Sequence, residues 1–252
     1  MIKRIVLYSL LFTSLLSVSA YAGTDDETAY ALNTLLFLVS GFLVMLMAAG
    51  FCMLESGMVT SKSVSTIAAK NIGLYSIAGL MFWVIGYNVA YGIPEGGYIG
   101  SFTPWSDASA IDTGYSDGSD WFFQMVFCAT TVSIVSGTLA ERIKIWPFFL
   151  FAAILTGIIY PIEMGWQWGG GWLSAAGFSD FAGSTLVHAA GGAAALAGAI
   201  VLGPRLGRFN NGKLVPFASS SIPLATLGTF ILWFGWFGFN GGSQLALAGF
   251  EN

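Results

Sequence analysis

The sequence predicts an all-α integral membrane protein, with about six transmembrane helices behind a signal peptide. Three observations predict it. Only 9% of the 252 residues are charged and 56% are hydrophobic, whereas a soluble domain carries about 25% charged residues. Six runs reach the length of about 20 apolar residues that a helix needs to cross a bilayer. The basic residues recur in alternate connections between those runs. The spans are read as helices because only helices and closed barrels satisfy every backbone group in lipid. Net charge is −4, and no basic stripe suggests nucleic acid as a partner. Cys52 and Cys128 both lie in apolar runs, so neither a disulfide framework nor a zinc site is suggested.

The chain opens with Lys3 and Arg4, then the apolar stretch Ile5 to Val18, then Ala20-Tyr21-Ala22 before Gly23. That order is a secretory signal with a small-x-small cleavage site, expected to span residues 1–22. The apolar core is short for a span, and Thr24 to Glu27 follows at once with three carboxylates. Cleavage would leave the mature N-terminus outside a bacterial inner membrane.

The spans are expected at roughly 32–54, 72–93, 121–140, 146–165, 182–202 and 222–240. Lys62 and Lys70 fall between the first two, Arg142 and Lys144 between the third and fourth, and Arg205, Arg208 and Lys213 between the last two. By the positive-inside rule those connections face the cytoplasm. The N-terminus is then outside, as the signal peptide independently requires. The segment 94–120 carries Glu95, Asp107, Asp112, Asp117 and Asp120 and reads as one long outer loop.

Few polar or unusual residues lie inside the spans. His188 is the only histidine, within a run that has no other ionisable side chain from Ala182 to Leu202. An imidazole in hydrocarbon is costly unless it faces a partner helix, a pore or water. It is also the side chain that exchanges a proton near neutral pH. Two readings are open: a packing histidine bonded to a backbone carbonyl, or a pore or proton-handling group. Phe123 and Phe127 share a helix face, as do Trp233, Trp236 and Phe239. Trp168 stands in Gly165-Trp-Gln-Trp168-Gly-Gly-Gly-Trp172, and Asn240 and Ser243 follow Phe239. Interfacial anchoring is one account of these aromatics. By the topology above they gather toward the outer side. Aromatic faces attract a small cation by roughly 0.5–2 kcal/mol each, and the Ser243 hydroxyl can accept a hydrogen bond from it. Asp180, just before the fifth span, is placed to cap that helix or to bind a cation directly. Small-residue ridges at Gly191, Ala195, Ala199 and at Ala190, Ala194, Gly198 predict close helix packing.

The run Asp180-Phe-Ala-Gly-Ser-Thr-Leu-Val-His188 through Gly203-Pro-Arg205 resembles the signature of the ammonium transporter family, which includes the Amt, Mep and Rh proteins. Gly137-Thr-Leu-Ala-Glu141-Arg142, Trp168-Gly-Gly-Gly171, Gly235-Trp-Phe-Gly-Phe-Asn-Gly-Gly-Ser243 and Glu55-Ser-Gly-Met-Val-Thr-Ser-Lys62 are similar to further family motifs. The resemblance covers nearly all of the chain after the signal and points to a bacterial Amt-type member. It implies that Phe127, Trp168 and Ser243 recruit ammonium. Phe127 and Phe239 would form a stacked gate below, with Phe123 beside it. His188 would line the pore as the first of two histidines, with Asp180, Trp236 and Asn240 in support. It also implies ammonium or ammonia as substrate, a homotrimer in the lipid bilayer, and a cytosolic PII-type regulator. No cofactor or metal is implied. Family members have eleven spans in two inverted halves. Residues 23–252 are therefore expected to be a truncated ammonium transporter domain, the first part of that fold.

Two other functions fit the same residues. One is an ammonium-sensing input domain fused to cytoplasmic signalling domains, and the other is an Rh-like gas channel. The Trp168 platform favours recruitment of charged ammonium over the gas channel. An enzyme is not expected, because no nucleophile–base pair, metal-ligand cluster or phosphate loop is recognisable.

Overall fold

A computed structural model describes residues 24–248. The expected signal peptide at 1–22 lies outside the described residues. Six helices among the described residues are long and apolar enough to cross a membrane. They are α1 (Asp26–Met58), α2 (Ser61–Tyr91), α3 (Asp117–Leu139), α4 (Ile145–Gly165), α5 (Ser184–Leu202) and α6 (Ile222–Gly242).

Three of these helices begin earlier than their apolar runs. The Asp25 carboxylate caps α1, accepting from Thr28 N at 2.7 Å, so the acidic stretch joins the helix. Helix α2 starts at Ser61, which corrects the placement of Lys70 in a connection. Lys70 stands well inside α2, and its Nζ is 3.1 Å from Glu55 Oε2 and 2.7 Å from Ser136 O. Ser136 Oγ also donates to Glu55 Oε2 at 2.8 Å, and Asn71 Nδ2 does so at 3.3 Å. A buried ion pair thus joins α1, α2 and α3. Helix α3 begins at Asp117, so Asp120 is a buried residue of its first turn and not part of the outer loop.

Helix α3 is the central element. Three of its hydroxyls are satisfied within the helix: Thr130, Thr131 and Ser133 donate to Val126, Phe127 and Ala129 carbonyls at 2.8, 3.2 and 2.8 Å. That internal bonding lets a polar sequence sit buried among apolar neighbours. Helix α5 lies against α3 through Gly191 and Ala195. A Cβ at Gly191 would fall 2.9 Å from Thr131 O.

The closest approach is between α1 and α6. A Cβ on Gly228 would lie 2.4 Å from Leu54 N, and one on Gly57 would lie 2.5 Å from Ala225 N. The two backbones therefore touch, as small residues permit. Helices α2, α4 and α5 each contain a wider π turn, at Phe82–Gly86, Leu155–Ile159 and Ser184–Ala189. In α4 the π turn precedes Pro161, which has no N–H to continue the regular ladder.

Contacts at the two ends of the bundle separate the connections. At one end Glu141 accepts from Thr60 N at 3.2 Å, from Ser63 Oγ at 2.7 Å and from the Thr60 hydroxyl, and it pairs with Arg205 at 2.9 Å. Arg142 donates to Gly203 O at 3.0 Å. Burial pushes the Glu141 carboxyl up, but the hydroxyl donors and Arg205 more than offset this and hold it below the usual glutamate value. The three connections that carry the basic residues therefore meet at one end. At the other end Asn33 donates to Gly114 O and Ala248 O at 3.0 and 3.1 Å, fastening α1 to the 94–116 segment and to the stretch after α6.

Candidate functional site

The site is assembled at the second of these ends by α3, α5, α6 and the turn after α4. Asp120, Phe123, Gln124 and Phe127 follow one another at helical spacing, so α3 presents them on one face. Phe127 stacks on Phe239 of α6, with ring centroids 3.9 Å apart and planes at 24°. Phe123 meets Phe127 edge-on at 4.7 Å, and Trp168 does so at 5.9 Å. Both stacked rings are 1% exposed, so no solvent reaches the space between them.

The stack separates two cavities. One, of about 350 Å³, is lined by Phe123, Phe127, Trp168 and Ser243 together with Asp120 and Gln124. The other, of about 330 Å³, is lined by His188, Trp236, Phe239 and Asn240. Ser243 Oγ donates to Phe239 O at 2.8 Å, which leaves its lone pairs available to a ligand.

The His188 ring lies 4.9 Å from Trp236 and 5.4 Å from Phe239. Its Nδ1 is 3.1 Å from Gly183 O. A carbonyl only accepts, so this bond places a proton on Nδ1 and leaves Nε2 free of it. The packing contact and the cavity-lining position thus coexist in one residue.

Asp180 faces neither cavity. Its carboxylate accepts from Gly183 N and Ser184 N at 2.8 and 3.1 Å, and from Thr185 N and Leu186 N at 2.8 and 2.9 Å. These are the free donors that a helix start leaves. Trp168 Nε1 donates to the Asp180 carbonyl at 2.7 Å, so the residue that starts α5 also sets the indole. Gly183 has φ +89°, and a Cβ there would lie 2.6 Å from Val187 Cγ2 and 3.2 Å from Trp168 Cη2. Gly183→Ala is expected to cost about 1–2 kcal/mol for the left-handed backbone alone. It should also shift Trp168. A lowered melting temperature with altered tryptophan emission is the expected readout, and an unchanged melt would refute the strain.

The predicted site residues thus divide among a first cavity, a stack, a second cavity and a cap. Asp120 and Gln124 were not foreseen in the first cavity, nor were Tyr87 and Tyr91 of α2, which also line it. For Asp120 and Gln124 the spacing from Phe123 and Phe127 was the available signal; the two tyrosines, on another helix, gave none.

The family model described as the Ammonium Transporter Family matches residues 35–252. The chain belongs to the ammonium transporter family. This ammonium transporter chain is 42% identical over 228 residues to the ammonium transporter Amt2 of Archaeoglobus fulgidus, covering 83% of the chain and 47% of that relative. Among solved structures it is similar to a protein described as a sensor Amt protein, with TM-score 0.82 and 39% identity over 88% of this chain and 57% of that one. Mep2 of Candida albicans superposes with TM-score 0.75 at 28% identity, over 88% of this chain and 50% of that one. The chain therefore spans about half the length of the relatives it matches. Its helices form a multi-pass membrane protein consistent with the first half of the Amt fold.

Proposed function

We propose that this chain supplies the recruitment site, gate and upper pore of an ammonium/ammonia transport pathway. The observation that carries the reading is the stacked Phe127–Phe239 pair, with an aromatic, hydroxyl-bearing cavity on one side and a cavity lined by the His188 imidazole on the other. Ammonium enters the outer cavity, where the Trp168 and Phe127 faces each attract it by roughly 0.5–2 kcal/mol. Ser243 accepts one N–H. Potassium is about the size of ammonium, so a size filter does not separate them. Loss of a proton to water in the recruitment cavity (NH4+ + H2O → NH3 + H3O+) does, because only ammonia then crosses an apolar constriction. Beneath the stack, the lone pair of His188 Nε2 accepts a hydrogen bond from the neutral permeant. The path is completed by a second half of the fold.

The meeting of the basic connections at the far end from the aromatic cavity supports an inner-membrane topology with the recruitment site outside. A homotrimer and a cytosolic PII-type regulator belong to the same reading, as family expectations. The similarity to a sensor Amt protein favours a second reading, in which the same site reports ammonium to signalling domains. A kinase or cyclase segment on the same polypeptide would decide for it.

The test is uptake of ammonium and potassium by full-length protein carrying His188→Ala or His188→Glu, with expression measured. His188→Ala should stop or alter selective conduction. His188→Glu should sustain flux while admitting bare cations. If both variants fold and keep parental selectivity, His188 is outside the path. Loss of folding in His188→Glu, with normal transport in His188→Ala, would mean that packing alone explains this residue.

A further inference from the structure

The outer cavity holds a carboxylate that recruitment by aromatic rings and one hydroxyl does not use. Asp120 is 7% exposed and lines the same cavity as Phe127, Trp168 and Ser243. Its Oδ2 accepts from the Tyr87 hydroxyl at 2.6 Å and its Oδ1 from Gln124 Nε2 at 3.1 Å. Both donors are neutral. Among the described residues no lysine, arginine or histidine pairs with it, since the ion pairs found are Lys70–Glu55 and Arg205–Glu141. Each carboxylate oxygen retains a lone pair after one bond. Tyr87 and Tyr91, with ring centroids 4.9 Å apart, add aromatic wall beside it.

A buried carboxylate with donors but no countercharge is costly, and either a proton or a cation lowers that cost; the aromatic walls around this one suit a cation. The cavity, of about 350 Å³, has room for a small monovalent cation. Aromatic walls favour a cation that sheds part of its water. A divalent cation demands more oxygen ligands than one carboxylate, one amide and scattered hydroxyls provide. We propose that Asp120 is a charged ligand of the outer cavity, holding ammonium or a similar monovalent cation at a subsite beside the Trp168–Phe127–Ser243 position. The proposal rests on the recruitment reading above and deepens it. The cation meets a fixed negative charge before the stack, and Tyr87 and Gln124 aim that charge.

The test uses full-length protein and the concentration dependence of ammonium uptake, alongside Trp168→Leu as a reference. Asp120→Asn keeps the size and loses the charge. It should raise KM at least about tenfold, with a smaller change in kcat. Asp120→Glu restores the charge and should recover much of the affinity. Tyr87→Phe removes one bond to the carboxylate but leaves its charge, and should change KM by no more than about threefold. Without any variant, thallium(I) soaked into crystals of the wild-type protein should give an anomalous peak against the Asp120 carboxylate. If Asp120→Asn keeps the wild-type KM while Trp168→Leu raises it, Asp120 is not a ligand and the recruitment reading stands. If Tyr87→Phe raises KM as much as Asp120→Asn, the carboxylate acts as scaffold and the proposal fails. An Asp120 variant that does not fold leaves the thallium experiment, where a peak only at Trp168 and Ser243 overturns the proposal. Saturable uptake missing from the wild type, with no thallium in the cavity, overturns both readings.

Discussion

Lys70→Met is expected to destabilise the bundle by about 3–5 kcal/mol, the cost of leaving one member of a buried ion pair alone. Glu55 and Lys70 have side chains only 4–5% exposed, so water cannot take over the bonds. The carboxylate would keep Ser136 and Asn71 as donors but lose the one countercharge it has among the described residues. The Ser136 carbonyl would lose the ammonium group as well. The measurement is thermal unfolding of detergent-purified full-length protein. The double variant Glu55→Gln, Lys70→Met should recover most of the loss, because it removes both charges at similar volume. Single and double effects that simply add would show that the two residues do not act as a pair.

Asp180→Ala is expected to be comparably damaging and separates two readings of that residue. Four backbone donors at the start of α5 lose their acceptor together. Gly183 and Leu186 are buried, and a buried donor without a partner costs about 1–3 kcal/mol, so a loss of about 2–6 kcal/mol follows. Asp180→Asn keeps one acceptor oxygen for two of the donors and should lie between alanine and wild type. The readout is again the melting transition. A direct cation ligand would behave differently: ammonium affinity would fall while the melt stayed in place. A stable Asp180→Ala protein would therefore refute the capping account.

Much of the architecture was legible because lipid constrains it strongly. Runs of apolar residues marked the six spans, and lysine and arginine marked the connections that meet at one end. His188 was legible as the lone ionisable side chain of its span, and the Phe127–Phe239 stack as what the family resemblance implied. Their division between two cavities was not, because it depends on how α3, α5 and α6 lean together. Lys70 and Asp120 were misplaced for one physical reason. Hydropathy treats a charge as the end of a span, yet both helices continue through theirs, and neighbouring helices supply the bonds that lipid cannot. The α1–α6 contact was also missed. Its glycines are spread through two separate runs, and nothing local pairs residues about 170 positions apart.

That contact governs the order of assembly during synthesis. The first of the six described spans finds a close neighbour in the last of them. Until α6 arrives, the glycine face of α1 has only lipid against it, while α2 and α3 already hold it on another side through Glu55. The bundle therefore cannot condense helix by helix as it leaves the ribosome. It passes through an open, partly docked stage whose duration is set by the translation of five further spans, at roughly 5–20 residues per second. A slow stretch of translation before α6 would prolong that stage.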